Sequence, residues 1–267
     1  MASAPSSRVV SLGTIDLKAV SLVFGNGAKA VVALQNLTLH IEAGEFLSVL
    51  GPSGCGKSSL IGTIAGFQHP HSGTLLVDGA VVRCPGPDRG VVFQQATLFP
   101  WKSVKQNVDF GLRLRRLARH QRAVILDNIF QKVGLSEFVG HYPTQLSGGM
   151  QQRVGLARVL VNQPRVMLMD EPFGALDAQT RLQMQQLVLQ VWSEFGMTIV
   201  FVTHDIDEAL FLGSRVAVLT RRPGRLKRVI PVDLPRPRHA DVLVSPEFML
   251  LKRDCMALLQ EETLGAA

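Results

Sequence analysis

The chain has 267 residues, 46% of them hydrophobic and 18% charged, with a formal charge of +7. That length buries a full core and fits one domain with subdomains, and the composition excludes a disordered chain except at residues 1–12 and 261–267, which are expected to be loose. The basic balance fits nucleic acid, an anionic membrane surface, or polyphosphate binding and solubility, and by itself does not choose among them.

No stretch of about eighteen uncharged apolar residues occurs, so the chain is not expected to span a membrane. The N-terminus lacks the basic start and apolar core of a secretory signal. Cys55, Cys84 and Cys255 form an odd set without metal-ligand spacing, which points to a reducing cytoplasm.

In chain order, Ile15–Phe24, Leu37–Ile41 and Glu45–Leu50 read as strands, and so does Thr74–Arg83, broken by a hairpin signal at Asp78-Gly79. Between the third and fourth lies Gly51-Pro-Ser-Gly-Cys-Gly-Lys-Ser58. It fits the phosphate-binding loop without mismatch, follows the apolar run Phe46–Leu50 and precedes a helical pattern. A loop with few Cβ atoms turns its backbone N–H groups around phosphate oxygens, and the helix behind it adds its positive dipole end. The candidate nucleotide contacts are Gly51, Pro52, Ser53, Gly54, Cys55, Gly56, Lys57, Ser58 and Ser59. Lys57 would reach the β- and γ-phosphates, and the Ser58 hydroxyl would ligate Mg²⁺.

Val104–Leu160 is helical in pattern, with a break at residues 141–144 before a second glycine motif, Leu146-Ser-Gly-Gly-Met-Gln-Gln-Arg153. Ser147-Gly148-Gly149 opens a helix and offers N–H groups to an anion. Val166–Met169 is a short apolar strand, Ala178–Phe195 a helix, and Thr198–Val202 and Arg215–Thr220 are strands. Strands alternating with helices imply a parallel sheet, so the expected fold is α/β with an antiparallel start and a helical insertion.

Asp170 and Glu171 end the strand that starts at Val166, where ligands bind in open α/β sheets. Two acids there could merely cap a strand, but the upstream phosphate loop gives them separate roles. Asp170 would hold Mg²⁺, and Glu171 would polarise the water attacking the γ-phosphate. The basic runs Arg113–Arg122 and Arg221–Arg228 lack the interleaved aromatics of single-strand binders and read as a solvated helix face and a basic hairpin, or as surfaces near lipid headgroups.

Together with Val91-Val-Phe-Gln94, Gly174-Ala-Leu-Asp177 and Val202-Thr-His204, these motifs resemble, in order, those of the ATPase subunits of ABC transporters, over roughly residues 13–260. The resemblance implies a P-loop NTPase (RecA-like) core with an N-terminal antiparallel β subdomain and a helical subdomain at about 95–160. It implies ATP and Mg²⁺, and a head-to-tail dimer in which Ser147, Gly148, Gly149 and Gln151 meet the ATP held by the other copy. By the same resemblance, His204 is a switch histidine orienting Glu171 and the water. Gln94 senses Mg²⁺ and links to the helical insertion. Asp177 lies on the loop crossing the dimer interface, although Gly174 stands where serine is usual. Phe24 stands where an aromatic stacks on adenine.

Phe99-Pro100-Trp101, Arg222-Pro-Gly-Arg225 and Leu234-Pro-Arg-Pro-Arg238 resemble the subfamily importing nitrate, sulfonates, taurine and related solutes. That implies a peripheral position on the cytoplasmic face of the inner membrane and transmembrane permease subunits whose coupling helix docks near residues 94–101. An external substrate-binding protein would be engaged only indirectly, and no nucleic acid is implied. Trp101 is either part of that dock or a half-buried loop anchor. Only a short tail, Pro246–Glu262, follows the core, so no separate regulatory domain of appreciable size is expected. Two other readings share parts of the set: a soluble ABC-type ATPase acting on DNA or ribosomes, and a P-loop small-molecule kinase, which would not need residues 146–153.

Overall fold

The computed structural model describes residues 12–264; the expected loose ends at 1–11 and 265–267 lie outside the described residues. β1 (Ile15–Phe24) and β2 (Val31–Ile41) bury alternate apolar side chains over much of their length and pair antiparallel, from Ile15 opposite Ile41 to Phe24 opposite Val31. The second strand begins at Val31 rather than at the expected Leu37. Its first valines are exposed, and register shifts interrupt the apolar period that would have revealed it. β3 (Phe46–Leu50) is buried along its whole length and leads through the glycine loop into α1 (Lys57–Ala65). β4 (Ser72–Val77) and β5 (Ala80–Val81) form the expected hairpin around Asp78-Gly79.

β6 (Arg89–Val92) has no clear strand pattern, because Arg89 and Gly90 occupy half of it. The helical insertion follows as α2 (Val104–Leu114), α3 (Arg119–Lys132) and α4 (Gly148–Leu160). Then come β7 (Val166–Asp170), α5 (Ala178–Phe195), β8 (Thr198–Thr203), α6 (Ile206–Leu212), β9 (Arg215–Leu219), β10 (Leu226–Pro231) and α7 (Pro246–Leu264).

The strands make two sheets. One is antiparallel, in the order β2-β1-β4-β5; the other runs β10-β9-β3-β8-β7-β6 and is parallel except for β10. Alternation along the parallel strands feeds two cores. Leu47, Val49, Leu168, Val200 and Val202 point toward α1 and the antiparallel sheet. Phe46, Met167, Met169, Ile199 and Phe201 point toward the helical side, where α2, α4, α5, α6 and α7 pack. Both faces being covered, these strands read as continuous apolar runs.

Much of the two basic runs is exposed, but parts of them are used internally. Asp109, buried on α2, takes both Arg113 Nε (2.6 Å) and Arg122 (3.1 Å), and Arg221–Arg228 forms the turn between β9 and β10 and the first half of β10. The loose end expected from residue 261 is corrected: α7 continues through Leu264. Lys227 Nζ lies 2.7 Å from Glu262 and 2.9 Å from Glu261, and the Arg221 N–H donates to Glu262, so the last turn is tied to the hairpin.

Arg238 is a buried staple, 4% exposed, donating to the carbonyls of Leu210, Phe211, Gly213 and Val232 at 2.8–3.1 Å. Burial, with the nearby Arg236 charge adding to it, pulls its guanidinium down to about 9. Arg238→Ala leaves carbonyls at the end of α6 without a donor and opens a void. Urea unfolding is expected to show a loss of ~3 kcal/mol, with nucleotide affinity unchanged because the site lies elsewhere.

Candidate nucleotide site

β3 lies inside the sheet between β8 and β9, so the chain leaves it at a carboxyl end flanked by two other strand ends. The loop turns back through Gly54 (φ +75°) and Gly56 (φ +108°), the residue that caps α1. A Cβ on Gly56 would stand 2.7 Å from the Ala33 carbonyl oxygen, so both conformation and space require glycine there. Lys57, 5% exposed, opens α1. Its Nζ donates to the carbonyls of Gly51 (2.8 Å) and Pro52 (3.2 Å) and lies 3.5 Å from Glu171 Oε1. The Ser58 hydroxyl donates to Asp170 Oδ1 at 3.1 Å.

Asp170 and Glu171 separate as two adjacent acids at a strand end must. Glu171 has left-handed backbone, φ +44°, a strain of about 1 kcal/mol or more held by its N–H donating to the Val202 carbonyl at 3.0 Å. That turn sets Glu171 Oε2 3.0 Å from His204 Nδ1, while Asp170 keeps Ser58. Burial pushes the Asp170 carboxyl up, and the Ser58 hydroxyl works against it.

His204 rests on a network that the sequence reading missed. Asp205 caps α6, accepting from the N–H groups of Asp207 (2.8 Å) and Glu208 (3.2 Å). The Thr203 hydroxyl donates to buried Glu208 at 2.7 Å and accepts the Asp205 N–H at 3.0 Å. Burial pushes the Glu208 carboxyl up. Asp205 followed by two acids is a legible helix start, but the buried role of Glu208 is a tertiary fact.

A cavity of about 190 Å³ borders the loop, walled by Gly54, Gly56–Ser59, Glu171 and Arg222. Arg222, on the β9–β10 turn, was not anticipated as part of this wall. No residue of 146–153 borders this cavity, nor do Phe24, Gln94 or Asp177.

The second glycine motif builds a different cluster. Ser147 caps α4, its hydroxyl accepting the Met150 N–H at 3.3 Å. Asp177 caps α5, and the Thr180 N–H bonded at 3.0 Å holds its carboxyl below the usual range. The two helix starts pack together: a Cβ on Gly149 would collide with the Thr180 methyl, and Gly148 faces Leu176. Gln151 braces the approach to the helix, its amide donating to the carbonyls of Pro143 (3.0 Å) and Leu146 (3.3 Å).

Between the clusters, Gln94 is exposed just beyond β6. Its carbonyl accepts from the Gln152 amide of α4, and its own amide faces Gly174, where a Cβ would sit 3.6 Å away in ordinary contact. A serine would fit at 174, so glycine there removes only a side chain. Phe24 ends β1 with 42% of its surface exposed.

On the helical side, buried Asn107 pins the loop after Gln94, accepting the Phe99 N–H and donating to the carbonyls of Phe99, Lys102 and Ser103. Phe99 packs against Phe110 and under Arg158, while Trp101 is 70% exposed. Trp101 is therefore not a half-buried anchor; Asn107 and Phe99 hold the loop instead.

Among the described residues no helix is long and apolar enough to cross a membrane. The family model for the ABC transporter matches residues 34–174, more than half of the chain. The chain is 43% identical over 263 residues to a nitrate import ATP-binding protein of Synechocystis sp., covering 95% of this chain and 99% of that protein. It is 42% identical over 240 residues to an aliphatic sulfonates import ATP-binding protein of Bacillus licheniformis, covering 90% and 92%. A solved dimeric ATP-binding cassette in a post-hydrolysis state, bound to ADP and phosphate, superposes with a TM-score of 0.73 at 33% identity, covering 83% of this chain and all of that one. With a phosphate loop and an acidic strand end on one parallel sheet, and matches spanning nearly its whole length, the chain belongs to the ABC transporter family as one of its ATP-hydrolysing cassettes.

Proposed function

We propose that this cassette powers an importer of nitrate, a sulfonate, taurine or a related small solute, with residues 13–260 working as one ATPase domain and 95–160 as its helical subdomain. The observation that carries the hydrolytic reading is the convergence of Lys57, Glu171 and His204 within 3.5 Å contacts beside the glycine loop. Loop N–H groups from Gly51 to Ser59 and the start of α1 cradle the polyphosphate. Lys57 carries charge to its outer phosphates. Glu171 accepts the proton of the attacking water, and His204 fixes the carboxylate that does so. Phe24 offers an exposed ring for the adenine.

The donor set beside Ser58 suits Mg²⁺. A hydroxyl and a carboxylate oxygen 3.1 Å apart are hard ligands, and an ion that keeps several waters needs few protein groups. Ser58, Asp170 and Gln94 would hold it, and when bound it would neutralise phosphate charge. Hydrolysis further requires the γ-phosphate to be closed off on the side opposite the loop, and no residue of 146–153 borders this pocket. Ser147, Gly148 and Gly149 supply that side from a second copy, paired head to tail, with Asp177 crossing the interface and Gln151 bracing the motif.

Closing and reopening that dimer moves the helical subdomains, and permease subunits read the motion at the loop with exposed Trp101, pinned by Asn107. The protein then sits on the cytoplasmic face of the membrane through its permease, and the substrate-binding protein is engaged only through that permease. Nucleic acid is disfavoured because Arg113 and Arg122 are already committed to Asp109, and Arg225 to Gln35. Deleting the subunit is expected to abolish uptake of one of nitrate, alkanesulfonate or taurine in cells otherwise unchanged, restored by the wild-type chain and not by a Glu171→Gln copy. Uptake of all of these and of the related small solutes assayed beside them at the wild-type rate would contradict the assignment.

A further inference from the structure

Beyond the motifs, one cation is brought to the phosphate loop from far along the chain. Arg222 Nε donates to the Gly54 carbonyl at 3.1 Å, its Nη2 lies 3.6 Å from where a Gly54 Cβ would stand, and the residue lines the cavity with Lys57, Ser58 and Glu171. Among the described residues it has no carboxylate partner. The acids nearest its turn are engaged elsewhere, Glu261 and Glu262 by Lys227 and Glu262 also by the Arg221 N–H. Lys57 shares its charge with two carbonyls and Glu171, so Arg222 is the unpaired positive charge on the wall.

Its placement is built rather than incidental. The Gly224 N–H donates to Ala33 at 2.9 Å, the Gln35 N–H donates back to Gly224 at 2.9 Å, and Arg225 bonds Gln35. A Cβ on Gly224 would overlap the Cys55 carbonyl, so the turn lies directly against the loop. Arg221 is tied to Glu262 of α7. Three elements thus hold in place a guanidinium whose fork of donors matches phosphate oxygens.

We propose that Arg222 is a further nucleotide-binding residue, its guanidinium taking a phosphate oxygen of the nucleotide held by the glycine loop. The inference rests on the reading of that loop as the ATP site. Arg222 supplies affinity and not chemistry, because the groups placed to activate water lie at Glu171 and His204.

Titration calorimetry of the full chain with ATP and with ADP tests it, at low and at high sodium chloride. Arg222→Gln is expected to raise Kd for both nucleotides by about tenfold, to flatten the salt dependence of Kd, and to leave kcat at saturating ATP within about twofold. Arg222→Lys, which keeps the charge but loses the fork, is expected to fall between. A structural role through the Gly54 bond would lower the melting temperature and kcat instead. An unchanged Kd in Arg222→Gln, or a weaker Kd with the wild-type salt slope, overturns the proposal. Lys57→Ala separates the two readings. If it leaves ATP affinity intact, the ATP-site assignment itself fails. If it loses ATP while Arg222→Gln does not, only the role of Arg222 fails.

Discussion

Glu171→Gln is expected to trap the protein as an ATP-dependent dimer with turnover lowered by about a thousandfold. The substitution keeps the shape of the side chain and the left-handed backbone held by the Val202 carbonyl, so the pocket survives. It removes the negative charge shared between Lys57 Nζ at 3.5 Å and His204 Nδ1 at 3.0 Å by replacing one carboxylate oxygen with an amide NH₂, and with that charge the proposed proton acceptor. Binding and closure need phosphate contacts, which remain. Reopening needs hydrolysis, which does not proceed. Light scattering with and without ATP, alongside phosphate release, reads both halves. A variant that stays monomeric at saturating ATP, or that turns over near the wild-type rate, contradicts the mechanism.

Ser147→Arg should separate binding from hydrolysis. Nothing in residues 146–153 borders the phosphate-loop cavity, so the monomer is expected to bind ATP within about threefold of the wild-type affinity, while hydrolysis falls by two orders of magnitude or more. The lost cap is a modest local cost, about 1 kcal/mol, since Ser147 satisfies a single N–H, that of Met150. The larger effect is steric: a long cationic side chain replaces a small hydroxyl at the helix start that would meet the partner's γ-phosphate. Nucleotide titration, steady-state phosphate release and a melting curve distinguish this from misfolding. Loss of ATP binding by a well-folded variant would mean that both glycine motifs serve one pocket within one chain.

What the sequence reveals follows the range of the interactions. The phosphate loop is local: eight residues carry their own turn, helix start and ligands, and the structure keeps them together. Asp170 and Glu171 are legible because a short apolar strand exposes its end, and the helix from Ala178 to Phe195 is legible because its period is regular. The misses are long-range. β6 depends on neighbours to bury Val92 beside Arg89 and Gly90, and the start of β2 depends on pairing rather than on burial. The tail reads as loose because nothing within it shows that Lys227, on another element, will hold its acids. Arg222 belongs to a basic run that looks like solvated charge until the hairpin folds onto Gly54. Glu208 looks like the first turn of a surface helix, yet it is buried and bonded to Thr203 beneath the histidine.

The contact between Gly149 and Thr180 ties together positions proposed to serve different pockets. On the proposed mechanism Glu171 would act on the nucleotide of its own chain and the start of α4 on that of the other, and the segment after Glu171 meets that start at Leu176 and Thr180. Within each chain, then, the carboxylate proposed to activate water and the donors proposed for the partner lie on neighbouring, packed segments. In the proposed dimer this would give the two ATP molecules a common timing. A rearrangement around Glu171 as phosphate leaves one pocket shifts the donors of the other, so turnover should be cooperative in ATP rather than the sum of two independent sites.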